Sequence, residues 1–71
     1  MSKKKIREYF KDNWDVTLDQ IVGDFKIPPK DIPKLQQILD TLIEEGWVVK
    51  SYCAEHDTDE YDPGENYGVW S

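Results

Sequence analysis

From Ile32 to Ile43 the apolar residues Ile32, Leu35, Ile38, Leu39, Leu42 and Ile43 recur at helical spacing and form one continuous stripe, the longest periodic pattern in the chain. Asp31 precedes the stripe as an N-cap, Pro33 is tolerated in a first turn and Gly46 follows as a C-cap, which predicts a helix over about 32–45. Upstream, Ile6, Tyr9, Phe10 and Trp14 share a helical face, with Lys3, Lys4, Lys5, Arg7 and Lys11 elsewhere, predicting a helix over about 3–13. Between these two, Thr17-Leu18-Asp19-Gln20 has the form of a capping box, in which the Thr hydroxyl accepts from the Gln amide and the Gln side chain reaches back. A short helix over about 18–26 follows, with Leu18, Ile21, Val22 and Phe25 facing inward, and Ile27-Pro28-Pro29 stops it.

After Gly46 the periodicity changes. Trp47-Val48-Val49-Lys50-Ser51-Tyr52-Cys53-Ala54 is rich in β-branched and aromatic residues and predicts a strand over about 47–55. Asn66 to Trp70 is expected to be its partner, over about 66–70. Asp57 to Glu65, acidic and ending in Pro63-Gly64, reads as the tip of a long hairpin. The expected fold class is therefore α+β, three helices followed by a two-stranded antiparallel wing in one domain over 1–71. Trp47, Tyr52, Tyr67 and Trp70 are expected to fasten the wing to the helices.

Composition changes this picture only through charge. At 71 residues and 38% hydrophobic, the chain has material for one compact core with a thin stability margin. Residues 1–50 hold nine bases and nine acids, whereas 51–71 hold six acids and no base, so the whole formal charge of −6 falls in the last 21 residues. No stretch is long and apolar enough to span a membrane, no signal-peptide pattern follows Met1, and the single Cys53 excludes an internal disulfide, so a cytoplasmic protein is expected.

Little in the chain suggests catalysis or cofactor binding. There is one His, no recognisable pairing of nucleophile with base and no Gly-rich phosphate loop, so no enzymatic activity is expected. Asp57 to Glu65 offers the carboxylates a hard cation wants, but Tyr61 occupies a ligand position of the EF-hand spacing and Gly64 comes too late for its turn. Cys53 and His56, three apart on a strand, would point to opposite faces. No metal and no cofactor are expected.

The order helix, capped short helix, Pro-rich turn, longer helix and strand pair resembles the winged helix-turn-helix superfamily. The resemblance rests on Thr17-Leu18-Asp19-Gln20-Ile21, the stripe from Leu35 to Ile43, and the junction Leu42-Ile43-Glu44-Glu45-Gly46-Trp47-Val48-Val49. It implies that the third helix enters the major groove of double-stranded DNA. Lys30, Lys34, Gln37 and Thr41 would then face the groove, supported by Lys3, Lys4, Lys5 and Arg7 on phosphates, with dimerisation doubling the contacts. The wing departs from the pattern, because Asp57, Asp59, Glu60, Asp62 and Glu65 stand where the superfamily often has bases. That departure supports an alternative function, a protein-interaction module whose acidic wing binds a basic protein without binding DNA. The bland reading of both sets is a solvated surface.

Overall fold

The computed structural model describes residues 2–67, and its elements are α1 (Lys3–Tyr9), β1 (Val16–Thr17), α2 (Leu18–Phe25), α3 (Ile32–Glu45), β2 (Val48–Cys53) and β3 (Thr58–Pro63). A 3-10 turn, Pro29–Asp31, leads into α3, and another, Glu65–Tyr67, follows β3. The architecture is thus a small α+β fold, with three helices and a three-stranded antiparallel sheet in the order β1-β3-β2. Ile6, Phe10, Val16, Ile21, Ile27, Leu35, Leu39, Leu42, Val48 and Tyr61 form the core between the helices and one face of the sheet.

The helix expectations hold best where the apolar stripe is longest. α3 occupies Ile32–Glu45, burying Leu35, Leu39 and Leu42, and Gly46 ends it in the left-handed region at φ 87°. That conformation lets the Trp47 and Gly46 amides donate to the Leu42 and Ile43 carbonyls at 2.9 and 3.2 Å. Asp31 sits at the N-cap position but its side chain makes no capping bond; the 3-10 turn runs directly into the helix instead. Thr17 does cap α2, accepting from the Gln20 amide at 3.1 Å. α2 stops at Phe25, before the prolines, because Lys26 adopts φ 53° and the Ile27 amide returns to the Val22 carbonyl at 3.0 Å.

α1 is shorter than its apolar spacing suggests. After Tyr9 the Phe10, Lys11 and Asp12 amides donate three residues back, to Arg7, Glu8 and Tyr9, and Asn13 Nδ2 takes the Tyr9 carbonyl at 2.8 Å. The chain therefore tightens and leaves the helix, so Trp14 is not on the inward face with Phe10 but 53% exposed. Asp15, at φ 53°, reverses the chain into β1, which the sequence pattern did not predict.

The first strand of the expected wing, over about 47–55, is found as β2, whereas its partner is corrected. The strand that pairs with β2 is β3, Thr58–Pro63, drawn from the acidic segment expected to be a loop, and it lies in the middle of the sheet. The physical reason is alternation: Tyr61 and Pro63, two apart, are buried opposite Lys50 and Val48, while Glu60 and Asp62 point to the outward face opposite Ser51 and Val49. At Glu60 and Tyr61 the strand has a neighbour on both sides, and the carboxylates remain able to meet water. Asn66 and Tyr67, expected to begin a strand, instead lie in a 3-10 turn, from which Asn66 caps α3, its Nδ2 donating to the Glu45 carbonyl at 2.6 Å and its amide to the Gly46 carbonyl at 3.1 Å. Gly68 to Trp70, the rest of that expected strand, lie outside the described residues.

Candidate interaction surfaces

Two surfaces follow from this fold, one on α3 and one on the hairpin of β2 and β3. Lys30 lies in the 3-10 turn that opens α3, and Lys34, Gln37 and Thr41 follow on the helix; all four are exposed. The Thr41 hydroxyl donates to the Gln37 carbonyl at 3.0 Å, so its rotamer is tied to the helix backbone. Toward the other end of the same helix stand Asp40, Glu44 and Glu45, also exposed. One base on the helix proper faces three acids, which gives α3 a basic start and an acidic finish.

The bases of α1 lie at that acidic finish. Lys3 Nζ meets Glu45 Oε2 at 2.6 Å, so the first turn of α1 packs against the last turn of α3. At about 1.5 Å of rise per residue, Lys34 stands about 17 Å along α3 from Glu45, with Lys30 farther still, so both lie well away from Lys3. Arg7 is also engaged: its guanidinium sits 4.7 Å above the Trp47 ring, and its carbonyl accepts from the Tyr67 hydroxyl. Trp47 and Tyr67 in turn pack at 5.2 Å, which joins α1, the start of the hairpin and the segment after β3. Lys4 and Lys5 are exposed, and among the described residues the only salt bridge is Lys3 with Glu45. Trp47 and Tyr67 thus fasten the hairpin as expected, whereas Tyr52 is 62% exposed and Trp70 lies outside the described residues.

The hairpin collects the negative charge. Its outward face carries Val49, Ser51 and Cys53 on β2 and Thr58, Glu60 and Asp62 on β3, with Thr17 of β1 alongside Glu60. Glu55, Asp57 and Asp59 are exposed at and beside the turn, Glu65 is exposed just past β3, and Lys50 is the one base on the three strands. Asp62 is tied to the segment that enters β1, because Oδ1 accepts from the Asp15 amide at 2.8 Å. Burial pushes its carboxyl above the usual range, and the neighbouring Asp15 carboxylate adds to this against the opposing effect of the amide. Tyr52 is likewise pushed up, first because its hydroxyl is bonded to Asp57.

The turn of the hairpin also corrects one expectation about side-chain direction. Residues 54–57 form a turn rather than a strand, since Cys53 pairs directly with Thr58. Asp57 closes the turn at φ 50°. This folds His56 back over the strand, so His56 Nδ1 lies 3.4 Å from Cys53 Sγ instead of on the opposite face. The turn could have been found from the sequence only by recognising that Thr58 begins a strand.

An open groove runs between the end of α3 and the edge strand β2, lined by Ile43, Gly46, Val48, Val49, Lys50 and Glu65. No helix of the described residues is long and apolar enough to cross a membrane. Comparison of the chain with protein-family models, with curated proteins and with solved structures found no match.

Proposed function

We propose that this chain is a winged-helix protein-interaction module that meets a basic partner through the acidic hairpin of β2 and β3. The element order supports the winged-helix part, since three helices precede a hairpin entered through Gly46-Trp47, and the additional strand β1 only ties that hairpin to the helical half. The observation that carries the functional part is the concentration of six carboxylates on and beside a hairpin whose strands carry one base, Lys50. Like charges held close on a surface repel one another, and a polycationic partner relieves that repulsion while the field steers its approach.

A second reading is DNA binding by α3, favoured by Lys30, Lys34, Gln37 and Thr41 all being exposed along the helix and the turn that opens it. It draws less support from α1 than the sequence suggested, because those bases stand at the opposite end of α3 and two of them, Lys3 and Arg7, already have partners. Asp40, Glu44 and Glu45 on the same helix oppose a polyanion.

The two readings separate in a pair of titrations at low and moderate salt, one with a lysine-rich peptide and one with a DNA duplex. The variant Glu55→Gln, Asp57→Asn, Asp59→Asn, Glu65→Gln leaves Glu60 and Asp62 in place, and Asn at 57 keeps both an acceptor for Tyr52 and tolerance of the left-handed region. The interaction reading expects this variant to lose peptide affinity by about tenfold or more, roughly the 1.4 kcal/mol that several surface charges supply. Unchanged peptide affinity contradicts it. Duplex binding at moderate salt that Lys30→Glu, Lys34→Glu abolishes would select the DNA reading instead.

A further inference from the structure

We propose that Cys53, His56 and Glu60 form a binding site for one divalent transition-metal ion of the zinc class at the tip of the hairpin. The three residues reach one place for separate reasons. Cys53 and Glu60 are diagonal neighbours on the outward face of β2 and β3, given the pairs Cys53 with Thr58 and Ser51 with Glu60. His56 joins them because the turn of residues 54–57 brings its ring back over the strand end. That turn is held by groups that take no part in the site, the left-handed backbone at Asp57 and the Tyr52 hydroxyl bonded to the Asp57 carboxylate.

The spacing of the donor atoms suits such an ion. One ligand atom from each residue lies within 4.8 Å of the other two, and Sγ and Nδ1 are 3.4 Å apart. Bond lengths of about 2.3 Å to sulfur and about 2.0–2.1 Å to nitrogen place those two ligands roughly 3.5 Å apart around a tetrahedral ion. The edge between Sγ and Nδ1 therefore already has its length, and the Glu60 carboxylate, within 4.8 Å of both, needs only a small approach to supply the third vertex. The donor set selects the metal class: a thiolate and an imidazole favour zinc and its neighbours over magnesium or calcium, which prefer all-oxygen sites. Three protein ligands leave the fourth position for water. Cys53 and Glu60 are half-buried and His56 is exposed, so the site opens to solvent.

Bound metal would cross-link the two strands at the end where the hairpin leaves the core, and would offset part of the negative charge there. This goes beyond the interaction reading and does not depend on it.

Titration of the reduced, metal-free chain with Co2+ tests the site. The expected result is saturation at one ion per chain, with a thiolate-to-cobalt charge-transfer band, intense visible bands of a tetrahedral ion, and loss of both on adding Zn2+. Cys53→Ser should remove the charge-transfer band, while His56→Ala and Glu60→Gln should each weaken binding by about tenfold or more. Far-ultraviolet circular dichroism checks that each variant remains folded, and Zn2+ should raise the melting temperature of the parent chain but not of Cys53→Ser. Absence of the charge-transfer band overturns the proposal. So does one cobalt per two chains, which would mean a bridge between exposed thiols, or cobalt affinity unchanged in both His56→Ala and Glu60→Gln.

Discussion

The helical half and the hairpin of this small domain are held by different means. In the helices, Ile6, Phe10, Ile21, Leu35, Leu39 and Leu42 are wholly buried and the charges of either sign lie outside. In the hairpin only Val48, Tyr61 and Pro63 reach the core, and the other positions are polar or exposed. A central strand can thus be built from an acidic sequence when Tyr61 and Pro63 are buried and the strand is paired with β2 along its length and with β1 at Glu60 and Tyr61. The contrast divides labour: packing in the helices supplies stability, and the hairpin is left free to carry charge.

Removing core volume from the helical half should have the largest effect. Phe10→Ala takes a fully buried ring from a small core and is expected to cost about 3–5 kcal/mol, enough to leave much of the chain unfolded in a denaturant titration. A cost below about 1 kcal/mol would mean that the helices do not carry the stability.

The seam between the halves comes next. Gly64 packs so closely on the α3–β2 junction that an added Cβ would lie 2.3 Å from the Gly46 carbonyl oxygen, and its amide donates to the Trp47 carbonyl at 2.8 Å. Since the clash is with backbone, Gly64→Ala should cost roughly 2–3 kcal/mol and loosen the hairpin, measurable as faster amide exchange in β3. Gly46→Ala forces a side chain into φ 87° and is expected to cost about 1 kcal/mol by denaturant titration.

An effect confined to alkaline pH sharpens the view of how α1 and α2 are joined. Burial, followed by the Asp24 carboxylate bonded to its hydroxyl, pushes Tyr9 up to about 12 from 10.0. A raised folded value means that the contribution is complete below the unfolded value and is lost as pH rises from about 10 toward about 12. Tyr9→Phe should flatten that part of the stability profile, measured by chemical denaturation at a series of pH values. The smallest effect belongs to the hairpin: the four-residue neutral variant at 55, 57, 59 and 65 should stay within about 0.5 kcal/mol of the parent, because all four side chains are exposed.

What was legible in the sequence follows the same division. The stripe of α3, the Thr17 cap and the Gly46 cap were readable because each is a local signal, made by residues that meet within a turn or two. Trp14 was misplaced because spacing alone does not reveal that Asn13 takes the Tyr9 carbonyl and ends the helix. β1 was missed because its pairing is long-range: Val16 finds Tyr61, and Asp15 finds Asp62, across some 45 residues of chain, whereas β3 pairs locally with β2 and was hidden by its own charge. Five carboxylates in nine residues outweighed the one available signal, Tyr61 and Pro63 two apart. Of the candidate site residues, those on α3 and the hairpin were legible as charge, whereas the meeting of Cys53, His56 and Glu60 depends on where the turn falls.

The central claim is that the acidic hairpin is the binding surface and the helical half its support. Its most direct measurement is a map of backbone amide shifts in the isotope-labelled chain as a lysine-rich peptide is added at moderate salt. The changes are expected to concentrate on residues 50–65 and to diminish in the four-residue neutral variant. Changes centred on residues 30–41, or spread evenly over the surface and unaffected by the variant, would contradict it.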